Sequence, residues 1–300
     1  MTMTDSVKGY ILGAVAAVSY GTNPLFAVPL YDMGLSTGSV LFYRYAFAVL
    51  ILGLVMLKRG DSFRLSGRNL WLMVAEGVFF ALSSVLLFEA YRYMDVGLAS
   101  TLLFVEPVFI ALMLWLFFKQ RISGVTVAAI ALCLAGVVFL ANPGEGAVVT
   151  TRGLIYVILS ALCYAVYMVL INKTSLQRLK GTTITFYSLL FGILVFVVKL
   201  NGLVDLQSIP GSALGLSCIV GISVLPTIVS LLTVAVAIGF IGSVAVAILG
   251  ALEPITGVLF GVMLFDEVLT VKAVTGMVLI IGSVIVLIAA PRLKQVIRRR

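Results

Sequence analysis

The sequence predicts an all-α integral membrane protein of ten transmembrane helices, built as two inverted five-helix repeats with both termini cytoplasmic. Three observations predict it: an interior too apolar for a soluble domain, ten apolar runs of membrane-spanning length, and a self-similarity that recurs after half the chain. Of the 300 residues 62% are hydrophobic and 11% are charged, and the mean hydropathy is +1.22. A soluble domain carries about 25% charged residues.

A bilayer core is crossed by about 20 apolar residues in helix. Runs of that kind lie near residues 10–30, 37–57, 70–91, 95–118, 124–141, 153–172, 182–200, 211–236, 243–265 and 271–290. The connectors are short and hold chain breakers such as Asn142-Pro143-Gly144 and Ile209-Pro210-Gly211. The first run continues beyond the length of a signal-peptide core and reaches Pro29-Leu30-Tyr31, so it is predicted to remain as the first span.

Charge sets the orientation. With the N-terminus inside, fifteen cations fall on the cytoplasmic side, among them Lys8, Lys58, Arg59, Lys119, Arg121, Lys173, Lys180 and Arg298 to Arg300. Four fall outside, Arg92, Arg152, Lys199 and Lys272, and Arg44 alone lies within a span. Fifteen against four is a clear positive-inside bias. The net charge of +8 is thereby accounted for as topology, with no basic domain left to bind nucleic acid.

Displaced by 144 residues, Gly9 falls on Gly153, Tyr20 on Tyr164, Asn23 on Tyr167, and Phe42-Tyr43 on Phe186-Tyr187. A displacement of 147 brings Ala90 onto Ala237 and Glu106-Pro107 onto Glu253-Pro254. Two halves follow, residues 1–148 and 149–300, each of five spans. Five is odd, so the second copy enters the bilayer from the opposite face, an arrangement that recurs in secondary transporters with the binding site near mid-membrane.

Ala90 to Ala141 and Gly239 to Ile288, each with a Glu-Pro and a following glycine-containing helix, resemble the paired EamA-type domains of the drug/metabolite transporter superfamily. The resemblance covers essentially the whole chain and implies a permease, an exporter before an importer, for amino acids, aromatic ones included, or related small metabolites. It implies a bacterial inner membrane, a small-molecule substrate and no cofactor. Nucleotide-sugar carriers and drug or cation efflux permeases of the same fold are the competing readings. The sequence departs from the family's pattern at Gln120, where the second half has the acidic Glu267.

Ionisable groups in a bilayer cost ~3 kcal/mol or more at mid-depth and therefore face the protein interior. Glu106 and Glu253 lie about eleven residues into their spans, roughly 16 Å along a helix, and each precedes a proline. They read either as kink architecture or as a protonatable pair. Pro24, Pro107, Pro226 and Pro254 are the expected hinges, with Ser230 and Thr233 placed to repair backbone near Pro226. Arg44, Glu76 and Glu89 have no charged counterpart in the other half, where Ser188, Ser223 and Val236 stand. Arg44 is at a depth to pair with Glu89 or Glu106, or to receive a substrate carboxylate. Glu76 shares a helical stripe with Phe80 and Ser83 and either lines an inner vestibule or snorkels to the interface. Tyr20, Asn23, Tyr164 and Tyr167, with Arg44 and Ser83, are the candidate substrate contacts, against the alternative that the tyrosines are packing or interfacial anchors.

Catalysis has no visible carrier. His is absent, and neither HExxH nor GxSxG occurs. Cys133, Cys163 and Cys218 lie in apolar runs without metal-binding spacing, so neither a metal nor a disulfide framework is predicted. A membrane-embedded hydrolase and an ion channel are disfavoured for want of motif and filter. Gly9-x-x-x-Gly13, Gly211-x-x-x-Gly215 and Gly257-x-x-x-Gly261 suit packing inside the bundle, and a monomer is expected.

Overall fold

Hydroxyl side chains open several helices where the chain leaves a connector. Ser36 Oγ accepts from the Ser39 amide at 3.3 Å, Thr150 Oγ1 from Gly153 at 3.1 Å and Ser212 Oγ from Gly215 at 3.0 Å. Each satisfies one of the amides that a helix start leaves without a partner. The computed structural model describes residues 3–90, 93, 99, 102–141, 150–253, 255, 256, 259, 263 and 271–297.

The helices are α1 (Met3–Tyr20), α2 (Asn23–Asp32), α3 (Thr37–Arg59), α4 (Gly67–Ala90), α5 (Glu106–Phe118), α6 (Gly124–Ala141), α7 (Thr151–Lys173), α8 (Gly181–Lys199), α9 (Ala213–Ser223), α10 (Ser230–Ile241), α11 (Ser243–Gly250) and α12 (Val271–Ile297). A short 3-10 turn, Ser175–Arg178, follows α7. A π-helical segment, Val224–Val229, joins α9 to α10. Among the described residues, six stretches are long and apolar enough to cross a membrane: Asp5–Asp32, Thr37–Arg59, Gly67–Leu87, Thr151–Lys173, Gly181–Lys199 and Ala213–Ile241. Shorter apolar helices occupy Glu106–Phe118, Gly124–Phe139 and Val274–Val286. The chain is an all-helical, multi-pass membrane protein.

Run four restarts as helix at its Glu-Pro, where the proline is expected to bend it. Pro107 sits in the first turn of α5, which begins only at Glu106; a proline is tolerated there because the first amides of a helix have no internal acceptor. Gly242, at φ +80°, separates α10 from α11, and α11 is eight residues long, about 12 Å at 1.5 Å per residue. Near Tyr20 the first span is also interrupted, at Gly21-Thr22, and Pro24 stands in the first turn of α2. Pro254, Glu267, Arg92 and the Asn142-Pro143-Gly144 connector lie outside the described residues.

Burial is reversed relative to a soluble protein. Arg44, Glu76, Glu106, Ser160, Asn172, Ser188 and Thr227 are buried, whereas Leu50, Leu57, Trp71, Trp115, Phe117, Val198, Val278 and Ile285 are exposed. Apolar side chains face outward because lipid is their solvent, and polar ones turn inward to find partners.

The pairing of helices keeps its pattern when the two halves are exchanged. α4 packs on α7 as α10 packs on α1; α4 packs on α8 as α9 and the π segment pack on α3; α5 packs on α7 as α11 packs on α1. Three pairs, α3 with α8, α5 with α11 and α6 with α12, map onto themselves. The halves are interleaved, with most of the tight contacts running between them.

Glycines set the closest approaches. A Cβ on Gly77 of α4 would lie 2.6 Å from Ser188 O of α8, and one on Gly192 of α8 would lie 2.8 Å from the Tyr45 ring. At the α6–α12 contact a Cβ on Gly136 would sit 2.8 Å from Gly276 O and 2.9 Å from Ile280 N. Backbone cannot yield as a side chain can, so Gly136→Ala is expected to destabilise the fold by about 1–3 kcal/mol. Gly124→Ala, at a position with open space around it, should leave the unfolding midpoint in detergent unchanged, and equal midpoints for the two variants would refute the close-packing account.

Candidate functional site

Arg44 leaves α3 and turns into the bundle, where only 5% of it is exposed. Its Nε donates to Thr227 Oγ1 at 2.5 Å and its Nη2 to Pro226 O at 3.1 Å. The guanidinium carbon lies 5.1 Å from the centre of the Tyr20 ring, within range of a cation–π attraction. Proline explains the acceptor. Pro226 has no amide hydrogen, so in an α-helix it would leave Ile222 O without a donor. The π segment widens the turn, and Thr227 Oγ1 donates to Ile222 O at 2.7 Å while receiving Arg44. The sequence indicated Pro226 as a hinge, and a widened turn stands there. Thr233 bonds back to Val229 O and Ser230 O at 2.8 and 2.9 Å, as expected of a repairing side chain.

This arrangement corrects the anticipated pairing of Arg44 with Glu89 or Glu106. Glu89 is ion-paired with Lys199 of α8, and Arg44 makes no ion pair among the described residues. Depth along the axis was compatible with Glu89, but Arg44 faces the π segment, and direction decides.

Glu76 corrects a second expectation. It neither snorkels nor lines a vestibule: it is 0% exposed, locked where Gly77 lets α8 approach. Its Oε1 lies 2.6 Å from Ser188 Oγ, which is also 2.7 Å from Ile184 O. Glu76 Oε2 has no hydrogen-bond partner. Ser188 is the counterpart of Arg44 under the repeat, and its interface with α4 is the counterpart of that between α3 and the π segment.

Aromatic rings fill the space beside these groups. Tyr164 and Tyr167 of α7 lie 5.3 Å apart, and Phe80 of α4 is 4.8 Å from Tyr167 and 6.3 Å from Tyr164. Tyr45 of α3 stacks on Phe80 at 5.9 Å. Tyr20 is within electrostatic range of both tyrosines of α7. Tyr20 and Asn23 do not share one helix, because the chain breaks between them; the Asn23 Oδ1 is buried without a partner. Ser83 is committed elsewhere: Ser160 Oγ donates to Ser83 O at 2.7 Å, which leaves Ser83 Oγ to donate to Ser160 Oγ at 3.1 Å across the α4–α7 contact.

Glu106 opens α5 and is 6% exposed. A Cβ on Gly250 would be 4.0 Å from its Oε1, and one on Gly21 would be 2.8 Å from Glu253 O. Glu106 and Glu253 are within Coulombic range of one another, and Glu253 is within range of Arg44. The centre therefore gathers one cation, several carboxyl groups and a wall of aromatic rings, contributed by both halves. Thr227 and Tyr45 were missed from the sequence. The signal for Thr227 was its place directly after Pro226, in a turn that needs a side-chain donor.

Among the described residues, no group of three His, Cys, Asp or Glu side chains is arranged to hold a metal. A cavity of about 580 Å³ opens at the Lys58–Arg59 end of α3, lined by residues including Leu12, Asp61, Lys180 and Thr233. Within it Lys180 Nζ bonds Asp61 Oδ1 at 2.6 Å. Buried charge walled by rings forms the centre of this apolar-faced, multi-pass membrane bundle.

Residues 7–142 and 151–289 each match the EamA-like transporter family, and the chain belongs to that family. It is a family of transporters, not of enzymes. The chain is 26% identical over 275 residues to an uncharacterized transporter of Archaeoglobus fulgidus, covering 91% of this chain and 93% of that protein. It is 24% identical over 202 residues to one of Clostridium kluyveri, 64% of this chain and 65% of the relative. With one of Bacillus subtilis it shares 24% over 192 residues, 62% of this chain and 58% of the relative. The matched region thus spans less than two thirds of the Clostridium and Bacillus relatives. A solved crystal structure superposes with a TM-score of 0.80 at 16% identity, over 93% of this chain and 95% of that one, and establishes the fold.

Removing the Thr227 hydroxyl leaves a buried guanidinium N–H without its acceptor. Thr227→Val is expected to cost about 1–3 kcal/mol, read as a lowered unfolding midpoint in detergent, and Thr227→Ser should restore most of it. An unaffected Thr227→Val would mean that Arg44 finds another acceptor.

Proposed function

We propose that the protein is a secondary transporter that exports amino acids, aromatic or otherwise neutral, and related small metabolites from the cytoplasm of a bacterial-type cell by alternating access. In this reading the chain crosses the inner membrane ten times as two inverted halves, 1–148 and 149–300, with both termini cytoplasmic, and acts as a monomer. The interleaved pairing of helices and the fifteen-to-four distribution of cations support that topology. Its test is accessibility: on intact cells, in a cysteine-less background, an impermeant thiol reagent should label Lys272→Cys and spare Arg64→Cys. The reverse pattern would invert the orientation.

The observation that carries the cargo assignment is Arg44. A buried guanidinium held by neutral partners keeps its charge available, and a substrate carboxylate is the group that a planar fork of N–H donors receives best. Tyr20 against the guanidinium and the ring cluster of Phe80, Tyr164 and Tyr167 supply apolar area for the substrate's side chain. The same observation weighs against nucleotide sugars, whose diphosphate calls for several cations. A drug or cation permease would draw on the carboxyl groups, Glu106 and Glu253, in preference to Arg44.

Counterflow decides between them. Purified protein in liposomes preloaded with unlabelled amino acid should accumulate labelled tracer, and Arg44→Lys should weaken exchange of zwitterionic cargo by roughly tenfold or more, a loss of about 1.4 kcal/mol. Equal weakening for an uncharged cargo would assign Arg44 to the fold alone. No exchange of any amino acid by folded, inserted protein would discard the amino-acid assignment.

A further inference from the structure

Two buried ionisable groups end on hydroxyls in equivalent interfaces. Between α3 and the π segment, Arg44 Nε donates to Thr227 Oγ1, which donates to Ile222 O. Between α4 and α8, Glu76 Oε1 lies 2.6 Å from Ser188 Oγ, which lies 2.7 Å from Ile184 O. In the first relay every contact has a hydrogen, because Arg44 supplies one and Thr227 supplies the other. The second has the same form with a carboxyl in place of the guanidinium.

Counting hydrogens in the second relay fixes the state of Glu76. Ser188 Oγ carries one hydrogen, Ile184 O can only accept, and an ionised carboxylate can only accept. With Glu76 ionised, three oxygens would share that single hydrogen, and at any instant one of two contacts shorter than 2.8 Å would press lone pair against lone pair. With a proton on Glu76 Oε1 both contacts are satisfied: Glu76 donates to Ser188, and Ser188 donates to the carbonyl four residues back, as hydroxyls in helices commonly do. Burial points the same way. Glu76 is 0% exposed and its Oε2 has no partner, which a neutral carbonyl oxygen tolerates far better than a charged one.

Among the described residues no neighbour offers a compensating charge. From α3 the facing titratable group is Tyr45 and from α7 it is Tyr167. From α8 it is the neutral Ser188, since Tyr187 bonds away to Phe63 O. The 3-10 turn that packs on the start of α4 carries Arg178, which is exposed. Among the described residues the ion pairs are Lys180–Asp61 and Lys199–Glu89, and Glu76 belongs to neither.

We propose that Glu76 is a proton-binding site, protonated while α4 and α8 are in contact and emptied to water when they part, so that proton release there is tied to the movement that opens a path to the cargo. On opening, the carboxylic O–H bond breaks, the proton passes to water and a solvated carboxylate remains; on closing, a proton is taken up again before Ser188 can be re-engaged. Coupling to cargo rests on the export reading above, whereas the protonation of Glu76 does not. If water enters this interface from one side when cargo leaves on the other, the exchange is one proton against one cargo molecule.

Infrared difference spectroscopy of the purified protein near neutral pH tests the site without any substrate. Wild type minus Glu76→Gln should contain a carboxylic C=O band that shifts in heavy water. Ser188→Ala should move that band in frequency without removing it, and supplies the same test if Glu76→Gln fails to fold. Carboxylate stretches in place of that band would overturn the proton site. In proteoliposomes Glu76→Gln, whose amide can still donate to Ser188, should keep cargo exchange but lose its stimulation by a proton gradient. Retained stimulation would overturn the coupling role. If wild type exchanges no amino acid, the cargo assignment falls, and the infrared result alone decides the proton site.

Discussion

Hydrocarbon offers no hydrogen bonds, and nearly every feature described here is a response to that one constraint. Helices satisfy their own backbone, so spans are helical, and a helix can be interrupted only where something inside the protein takes over the freed groups. At Pro226 the substitute is Thr227, which covers Ile222 O and then becomes an acceptor for Arg44. At Gly21-Thr22 it is Thr22, whose hydroxyl donates to Ser19 O at 2.6 Å. The breaks that sequence marks with proline or glycine are thus the places where polar side chains collect.

The same constraint binds the halves together. Ser83 meets Ser160, Asn172 Nδ2 donates to Ser243 Oγ at 2.8 Å, Glu76 meets Ser188, and Arg44 meets Thr227. Three of these pairs join a residue of one half to a residue of the other, and the Asn172–Ser243 pair lies within the second. Single intramembrane hydrogen bonds of this kind contribute about 0.6 kcal/mol on average, weak enough that a helix can trade one partner for another. Close glycine contacts, which involve backbone, resist change more strongly.

Depth was legible in the sequence and direction was not. Positions counted from the ends of apolar runs put Arg44, Glu76 and Glu106 inside the membrane, and all three are buried. Pro107 and Pro226 indicated breaks, and both stand where a helix starts or widens. What could not be read was rotation about each helix axis, because in an all-apolar span the usual amphipathic stripe has no contrast. Arg44 was therefore matched with Glu89 or Glu106 on depth alone, and Ser83 was counted as a substrate contact when it faces Ser160. Ser188 had been seen only as the uncharged counterpart of Arg44; its link to Glu76 needed the α4–α8 contact.

The two halves also differ in length. Tyr43 and Tyr187 differ by 144 residues, while Ala90 and Ala237 differ by 147, so three additional residues enter the second half between Tyr187 and Ala237. That interval contains Val224–Val229, where the helix is wound more loosely. Three residues are about 4.5 Å of α-helix, enough to offset everything beyond them relative to the first copy. A duplicated machine with identical halves could face either way with equal ease. If the halves alternate as proposed, that offset makes the inward- and outward-facing shapes unequal by construction, before any cargo or gradient acts on them.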